Sequence, residues 1–138
     1  MIKLIFKLFK EAYTEHLNKK VEKYYNIYHF SMEPNHTSHN NEADAFKHTY
    51  MSAELTLLLG AMATYKIGVL QEDSNPYNTP AERHMDLHND SVGIGIGKRL
   101  KKSIWHLINI DDEIAENVMN EMRAGRLITQ ITQLSEGT

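Results

Sequence analysis

The segment from Thr79 to Gly97, TPAERHMDLHNDSVGIGIG, constrains the fold of this 138-residue chain more than any other stretch. Its first residues predict the start of a helix, because Thr79 can cap it, Pro80 suits the first helical position and Glu82 completes a capping box. Five positions of this helix follow the three-four spacing of a buried stripe: Ala81, Met85, His88, Val92 and Ile96. A histidine in a buried stripe needs a polar partner.

The same helix contains three closely spaced glycines, Gly93, Gly95 and Gly97. Glycine inside a helix costs about 1 kcal/mol relative to alanine. Three of them indicate either very close backbone packing or an early end to the helix. The polar residues within one turn of His88 are Asp86, Asn89 and Asp90. The segment therefore predicts either a buried polar network or half of an active site.

Length and composition predict one domain, residues 1–138, with a core that needs no disulfide. The absence of cysteine excludes a disulfide framework and a cysteine-based zinc site. A formal net charge of −3 argues against a broad basic surface for nucleic acid. Lysines interrupt every apolar run near the N-terminus, so no signal peptide is expected. The expected location is the cytoplasm on synthesis, with secretion without a signal peptide or membrane association as alternatives.

Residues 1–28 predict an amphipathic first helix. Its apolar side consists of Ile2, Ile5, Phe6, Phe9 and Tyr13, and its polar side of Lys3, Lys7, Lys10 and Glu11. Such a helix favours packing on the domain core. The alternative is that it lies on an anionic membrane surface.

Residues 42–66 predict a second helix. Its stripe runs through Asp44, His48, Met51, Leu55, Leu58 and Met62, and the C-terminal part of that stripe is expected to be core. Asp44 and His48, four residues apart, point the same way as the leucines. A buried imidazole beside a carboxylate is a structural pair, a catalytic pair or a metal-binding pair. This pair alone favours a structural role.

Two segments rich in turn formers predict loops, residues 31–41 and 68–79. The first contains His36 and His39, a weak metal-binding signal. The second contains Glu72, directly before the helix that begins at Pro80.

The remaining segments complete an all-α domain of about four helices. Residues 103–110 fit a short helix or a strand, and 111–124 predict a last helix capped by Asp111 or Asp112. Residues 126–134 fit a short C-terminal strand or a helical turn.

The segments NEADAFKHTYMSAELT and NTPAERHMDLHNDSVGIGIG, with a glutamate between them, resemble a bacterial domain of unknown function found at the C-termini of polymorphic and Rhs-type toxins. The resemblance covers residues 41–97, and the order and spacing of its motifs are specific. It implies a fold and a toxin-like context, with an immunity protein as the expected partner, but no reaction.

By position, the resemblance assigns motif residues to Asp44, His48, Glu72, Asp86, Asn89 and Gly93. The sequence departs from the pattern at two places. Gln71 stands where the pattern has histidine, and Asp90 replaces an asparagine. If that histidine is a ligand in relatives, this chain has a weakened site or uses His84 or His88 instead.

The first functional hypothesis is a small effector-type or toxin-type hydrolase that acts on lipid or on the cell envelope. Its candidate ligands for a divalent metal, zinc or another, are Asp44, His48, Asp86 and His88. Its candidate catalytic residues are Glu72, His48, His88 and Asn89, with Glu72 able to take a proton from metal-bound water.

Two alternatives stay open. In a metal-dependent nuclease, His88 would activate water and Asn89 would orient it, although the acidic charge makes nucleic acid the less favoured partner. In a non-catalytic module that binds a protein or a membrane, the Asp/His pairs would be buried hydrogen-bond networks.

Overall fold

The computed structural model describes residues 2–33, 39–103 and 109–131. These residues form five helices: α1 (Ile2–Tyr28), α2 (Glu42–Leu59), α3 (Ala61–Asp73), α4 (Pro80–Lys101) and α5 (Ile110–Arg123). They contain no strand. The prediction of an all-α fold is confirmed. Each helix in this part of the chain is too short or too polar to cross a bilayer.

The chain divides into two compact units, residues 1–30 and 31–138. The first unit is α1, which matches the predicted first helix. At its end the Tyr24 and Tyr28 rings stack with centroids 6.2 Å apart, and the Tyr25 ring meets Phe30 edge-on. His29 has a φ of 53°, which ends the helix.

In the second unit, α2 and α4 pack together through glycine. A Cβ atom added to Gly93 would lie 2.2 Å from the carbonyl oxygen of Thr49, and one added to Gly97 would lie 2.6 Å from the Thr56 Cβ. Contacts this short leave no room for a side chain at either position. Close backbone packing, one of the two alternatives that the glycines predicted, is therefore confirmed, and α4 continues to Lys101.

The predicted start of α4 is also confirmed, since the Thr79 side chain accepts a hydrogen bond from the Glu82 backbone at 3.2 Å. The buried side of the helix differs from the predicted stripe. It consists of Met85, Asp86, Asn89, Asp90, Gly93, Ile96, Gly97 and Leu100. His88 and Val92 are only half-buried. The predicted stripe contained mainly apolar residues. The side of α4 that packs on α2 contains the glycines Gly93 and Gly97 and, on the same face, Asp86 and Asp90.

The predicted second helix is two helices, because Gly60 breaks it with a φ of 90°. Leu55 is buried, as the stripe predicted, but Leu58 and Met62, on either side of the break, are exposed, so the expected core was wrong for these two residues. After the break at Gly60, α3 begins at Ala61 and continues to Asp73. Glu72 therefore lies in the last turn of a helix, where the sequence predicted a loop.

The C-terminal part differs from the prediction in two details. α5 begins at Ile110, before both predicted capping residues, and its N-cap position is Asn109. Residues 126–131 form no strand. Residues 132–134 of the predicted strand, the histidine at position 36 and most of the 103–110 segment lie outside the described residues.

Candidate metal centre

The close contact between α2 and α4 brings together two pairs of residues, each spaced by one helical turn. Asp44 and His48 lie on α2, and Asp86 and Asp90 lie on α4. Side chains four residues apart share a helix face, so each pair points into the space between the helices. Glu72 enters from the last turn of α3. We call these five residues the His48 cluster.

The imidazole of His48 lies between three carboxylates. Its Nε2 atom is 3.5 Å from Asp44 Oδ1 and 3.4 Å from Asp86 Oδ1, and its Nδ1 atom is 3.4 Å from Asp90 Oδ1. Charge-assisted N–H···O bonds are usually about 2.7–2.9 Å long. The Nε2 contacts are therefore loose for an ion pair.

The two ring nitrogens of His48 have different surroundings. Nδ1 faces Asp90, whose Oδ1 also accepts a hydrogen bond from Ser52 Oγ at 3.0 Å. Nε2 faces the oxygens of Asp44 and Asp86. This is the arrangement of metal-ligating histidines, in which one nitrogen donates to a carboxylate and the other binds the ion.

Backbone and amide groups hold the outer carboxylates in place. Asp44 Oδ2 accepts a hydrogen bond from the Asn40 backbone N–H at 2.7 Å, while the Asp44 backbone N–H donates to the N-cap residue Asn41 at 3.1 Å. The Asn78 side chain donates to Glu72 Oε2. The inner oxygens of the cluster stay directed at His48.

The electrostatics of the cluster favour bound protons when no other cation is present. Burial alone would lower the pKa of His48, but the hydrogen bond to Asp90 and the charges of Asp90, Asp86 and Asp44 raise it to about 10. Burial raises the pKa of Asp86 to about 8, although the His48 charge opposes the shift. Burial also raises the pKa of Glu72, which shares a hydrogen bond with Asp86. Added positive charge, such as a bound proton, therefore stabilises the cluster.

The residues fit a metal ion. One atom each from Asp44, His48 and Asp86 can serve as a ligand, and the three atoms lie within 4.8 Å of one another. Asp86 Oδ1 is buried and has no hydrogen-bond partner among the described residues, an unusual state for a buried acceptor. Two carboxylate oxygens and an imidazole nitrogen suit zinc and neighbouring divalent transition metals.

A family model described as a domain of unknown function, DUF6973, matches residues 5–126. The chain belongs to this family. No curated protein and no solved structure matches it. The DUF6973 match contains the whole His48 cluster and also most of α1, so it extends well beyond the 41–97 segment that carried the sequence resemblance.

In this DUF6973 domain, four of the predicted site residues lie together: Asp44, His48, Glu72 and Asp86. The other two do not. His88 Nε2 lies 2.8 Å from the carbonyl oxygen of Arg126. Asn89 exchanges two hydrogen bonds of 2.9 Å with the backbone of Ile128. These two side chains hold the segment that follows α5.

The sequence analysis placed Asp90 among the polar residues near His88 and noted it as a departure from the family pattern, but did not include it among the candidate site residues. The available signal was its spacing. Asp86 and Asp90 repeat on α4 the four-residue interval of Asp44 and His48 on α2, and Gly93 continues the same face. The predicted apolar stripe ran through His88, on a different face of α4 from Asp86 and Asp90.

Proposed function

We propose that this protein is a metal-dependent hydrolase whose divalent ion is bound by Asp44, His48 and Asp86. The observation that carries the proposal is the spacing of the ligand atoms. His48 Nε2 lies 3.5 Å and 3.4 Å from the two aspartate oxygens. Ligands that are each about 2.1 Å from a tetrahedral zinc ion lie about 3.4 Å from one another. The geometry therefore suits an ion better than a direct ion pair.

Charge supports the same proposal. The cluster contains four carboxyl groups, and among the described residues His48 is the only basic side chain within 4.0 Å of any of them. Buried carboxylates without a counter-ion are costly and take up protons or bind metal. A divalent ion would neutralise the excess charge and give Asp86 Oδ1 the partner that it lacks.

The chemistry follows from the position of Glu72. A bound ion of this kind lowers the pKa of its water ligand toward 7. Glu72 is close enough to His48 and Asp86 for both groups to influence its pKa, so its carboxylate would lie near the ion and could accept a proton. Glu72 would take a proton from water while the water oxygen bonds to an ester carbon or phosphorus. The bond from that carbon or phosphorus to the leaving oxygen would then break, and Glu72 would return the proton to the leaving oxygen.

A lipid or envelope substrate is part of the proposal. A cavity of about 70 Å³ between α3 and α4 reaches Asp90, and its wall includes Tyr65, Leu87 and Ile94. A cavity of this size holds a few water molecules, so the choice of a lipid or envelope substrate depends on the apolar, lysine-flanked N-terminus and on the net charge of −3. The effector context and an immunity protein remain predictions that rest on the sequence resemblance.

The nuclease alternative depends on a paired His88 and Asn89. Both are bonded to the backbone of residues 126–128, and this favours the hydrolase centred on His48. The non-catalytic alternative has its own support. The side chains of Asp44, His48 and Asp86 are only 6%, 12% and 12% exposed, as expected of a buried network or a structural metal site.

Metal content of the purified protein tests the proposal first. We expect near-stoichiometric metal in the wild type and in His88→Ala, and none in His48→Ala, with circular dichroism confirming that all three fold. His88→Ala is the matched control, because it removes an imidazole from α4 and leaves the cluster intact.

Hydrolysis is then measured on phospholipid vesicles and on soluble chromogenic esters and phosphodiesters. Glu72→Gln should keep its metal and lose activity by about 100-fold or more. Full activity in Glu72→Gln would contradict the assigned base, and bound metal without any hydrolysis would favour a structural site. A metal-free wild type whose melting temperature drops in His48→Ala would overturn the metal site and support the buried network.

A further inference from the structure

The first three turns of α1 combine exposed apolar side chains with lysines. Leu4 and Leu8, one turn apart, are 59% and 56% exposed. Lys7, between them in sequence, is exposed as well. Two large apolar side chains are thus exposed one turn apart beside a lysine, a small apolar patch with a positive charge next to it.

The register of α1 shows that this segment does not continue the buried face of the helix. Further along, Leu17, Val21 and Tyr24 are buried at intervals of four and three residues. Two turns correspond to about seven residues, so the same stripe runs back from Leu17 to Lys10. Extended another two turns it reaches position 3, which is also a lysine. The buried stripe of the second half thus becomes a lysine stripe in the first.

The charges at this end are unfavourable for the helix itself. Residues 1–10 contain three lysines and no acidic residue, and the first turn of α1 has no acidic side chain. A cation in the first turn of a helix, such as Lys3, opposes the helix dipole. The chain as a whole carries a formal charge of −3, so this segment is a local basic region on an acidic protein.

We propose that the N-terminal end of α1 lies on an anionic membrane surface, with Leu4 and Leu8 in the acyl boundary and Lys7 and Lys10 at the lipid headgroups. Exposed leucines next to a lysine stripe are the pattern of interfacial helices, whose binding combines apolar burial with attraction to anionic lipid. A nucleic acid would contact the lysines and leave the leucines in water. This inference is independent of the hydrolase proposal, because it involves no residue of the His48 cluster.

Co-sedimentation of the full-length protein with vesicles tests the inference. Vesicles of phosphatidylglycerol mixed with phosphatidylcholine should bind the wild type, and phosphatidylcholine alone should not. The double variant Leu4→Gln, Leu8→Gln should bind anionic vesicles about tenfold or more weakly. Lys7→Glu should bind more weakly too, and high salt should reduce binding of the wild type.

Ile27→Gln is the matched control. Ile27 lies on the same helix and is 54% exposed, but it is outside the lysine segment. It should bind vesicles like the wild type. Equal loss in Ile27→Gln, equal binding to both kinds of vesicle, or no binding to anionic vesicles would each overturn the inference. Metal content and hydrolysis of soluble esters, measured on the same variants, report on the hydrolase proposal separately.

Discussion

Toward the C-terminal end of α4, Gly93 and Gly97 contact the backbone of α2, whereas toward its N-terminal end the same two helices face each other through Asp86, Asp90 and His48. Residue numbers rise together along both helices, so the helices run in the same direction. One half of their interface is as close as two backbones can come. The other half holds charged side chains apart.

The contrast shows how the ligand spacing is set. In the glycine half, a Cβ at Gly93 would lie 2.2 Å from Thr49 O, so the distance between the helices cannot vary without losing packing. About two turns before Gly93 on α4, Asp86 Oδ1 lies 3.4 Å from His48 Nε2. The close contact at the glycines thus sets the separation at which Asp86 and His48 face each other. Four predictions sharpen this comparison.

The largest effect is expected in the glycine half. Gly93→Ala forces a methyl group against the Thr49 carbonyl, so we expect it to lower the free energy of unfolding by about 3 kcal/mol or more, measured by urea denaturation. Gly95→Ala is the control, because its Cβ would meet only Arg99 Nη1, at 3.8 Å. It should stabilise α4 by about 0.5–1 kcal/mol. Equal stability of the two variants would show that the close contact does not fix the interface.

The raised pKa values of Asp86 and His48 predict that the metal-free protein becomes less stable as pH rises. The folded-state pKa of Asp86 is about 8 against an ordinary 3.8, and that of His48 is about 10 against 6.5. Both groups therefore bind protons more tightly when folded. Their contribution is present at low pH, and it is lost between 3.8 and 8 for Asp86 and between 6.5 and 10 for His48. Each proton contributes a slope of up to about 1.4 kcal/mol per pH unit.

The measurement is urea denaturation after dialysis against a chelator, at several pH values from mildly acidic to alkaline. Stability that stays flat or rises across this interval would contradict the proton-loaded cluster. Saturating zinc should reverse the trend, since metal binds the deprotonated ligands.

Asp86→Asn separates a metal site from a structural network by the sign of its effect. Without metal, the variant removes one of four neighbouring carboxyl groups that repel one another when charged. We therefore expect its free energy of unfolding to be unchanged or higher. With zinc at about 100 times the dissociation constant, the wild type gains about 2.7 kcal/mol and the variant gains little. Thermal unfolding with and without zinc measures both. A structural network predicts instead that Asp86→Asn is less stable under both conditions.

The same comparison explains what the sequence could predict. Helix positions followed from caps and periodicity, as at Thr79 and Pro80, because those signals are local. The glycines predicted close packing for the same reason. The break at Gly60 was missed, since an isolated glycine in a helical pattern is often tolerated.

The partners within the cluster could not be predicted, because they depend on which faces of two helices meet. Asp44, His48 and Asp86 were chosen for their residue types and spacing. His88 was chosen with them because it fits an apolar stripe, but the close packing at Gly93 turns Asp86 and Asp90 toward α2 instead. Local periodicity contains no information about this rotation.

The smallest of the four effects is expected at Asp90, which positions the imidazole of His48 without binding the ion. Asp90 accepts from His48 Nδ1, and this leaves Nε2 free of its proton for the metal. In Asp90→Asn the amide can donate to Nδ1, which moves the ring proton to Nε2. We expect zinc affinity, measured by calorimetry, to fall about 10–100-fold.

The exposed Asp73, paired with Arg83, provides the matched control Asp73→Asn, which should bind zinc like the wild type. Nitrogen-15 NMR of the zinc-bound protein distinguishes positioning from a general loss of structure, since only positioning changes which ring nitrogen of His48 carries the proton while the protein stays folded. An unchanged tautomer with weakened zinc binding would show that Asp90 acts through its charge instead of its hydrogen bond.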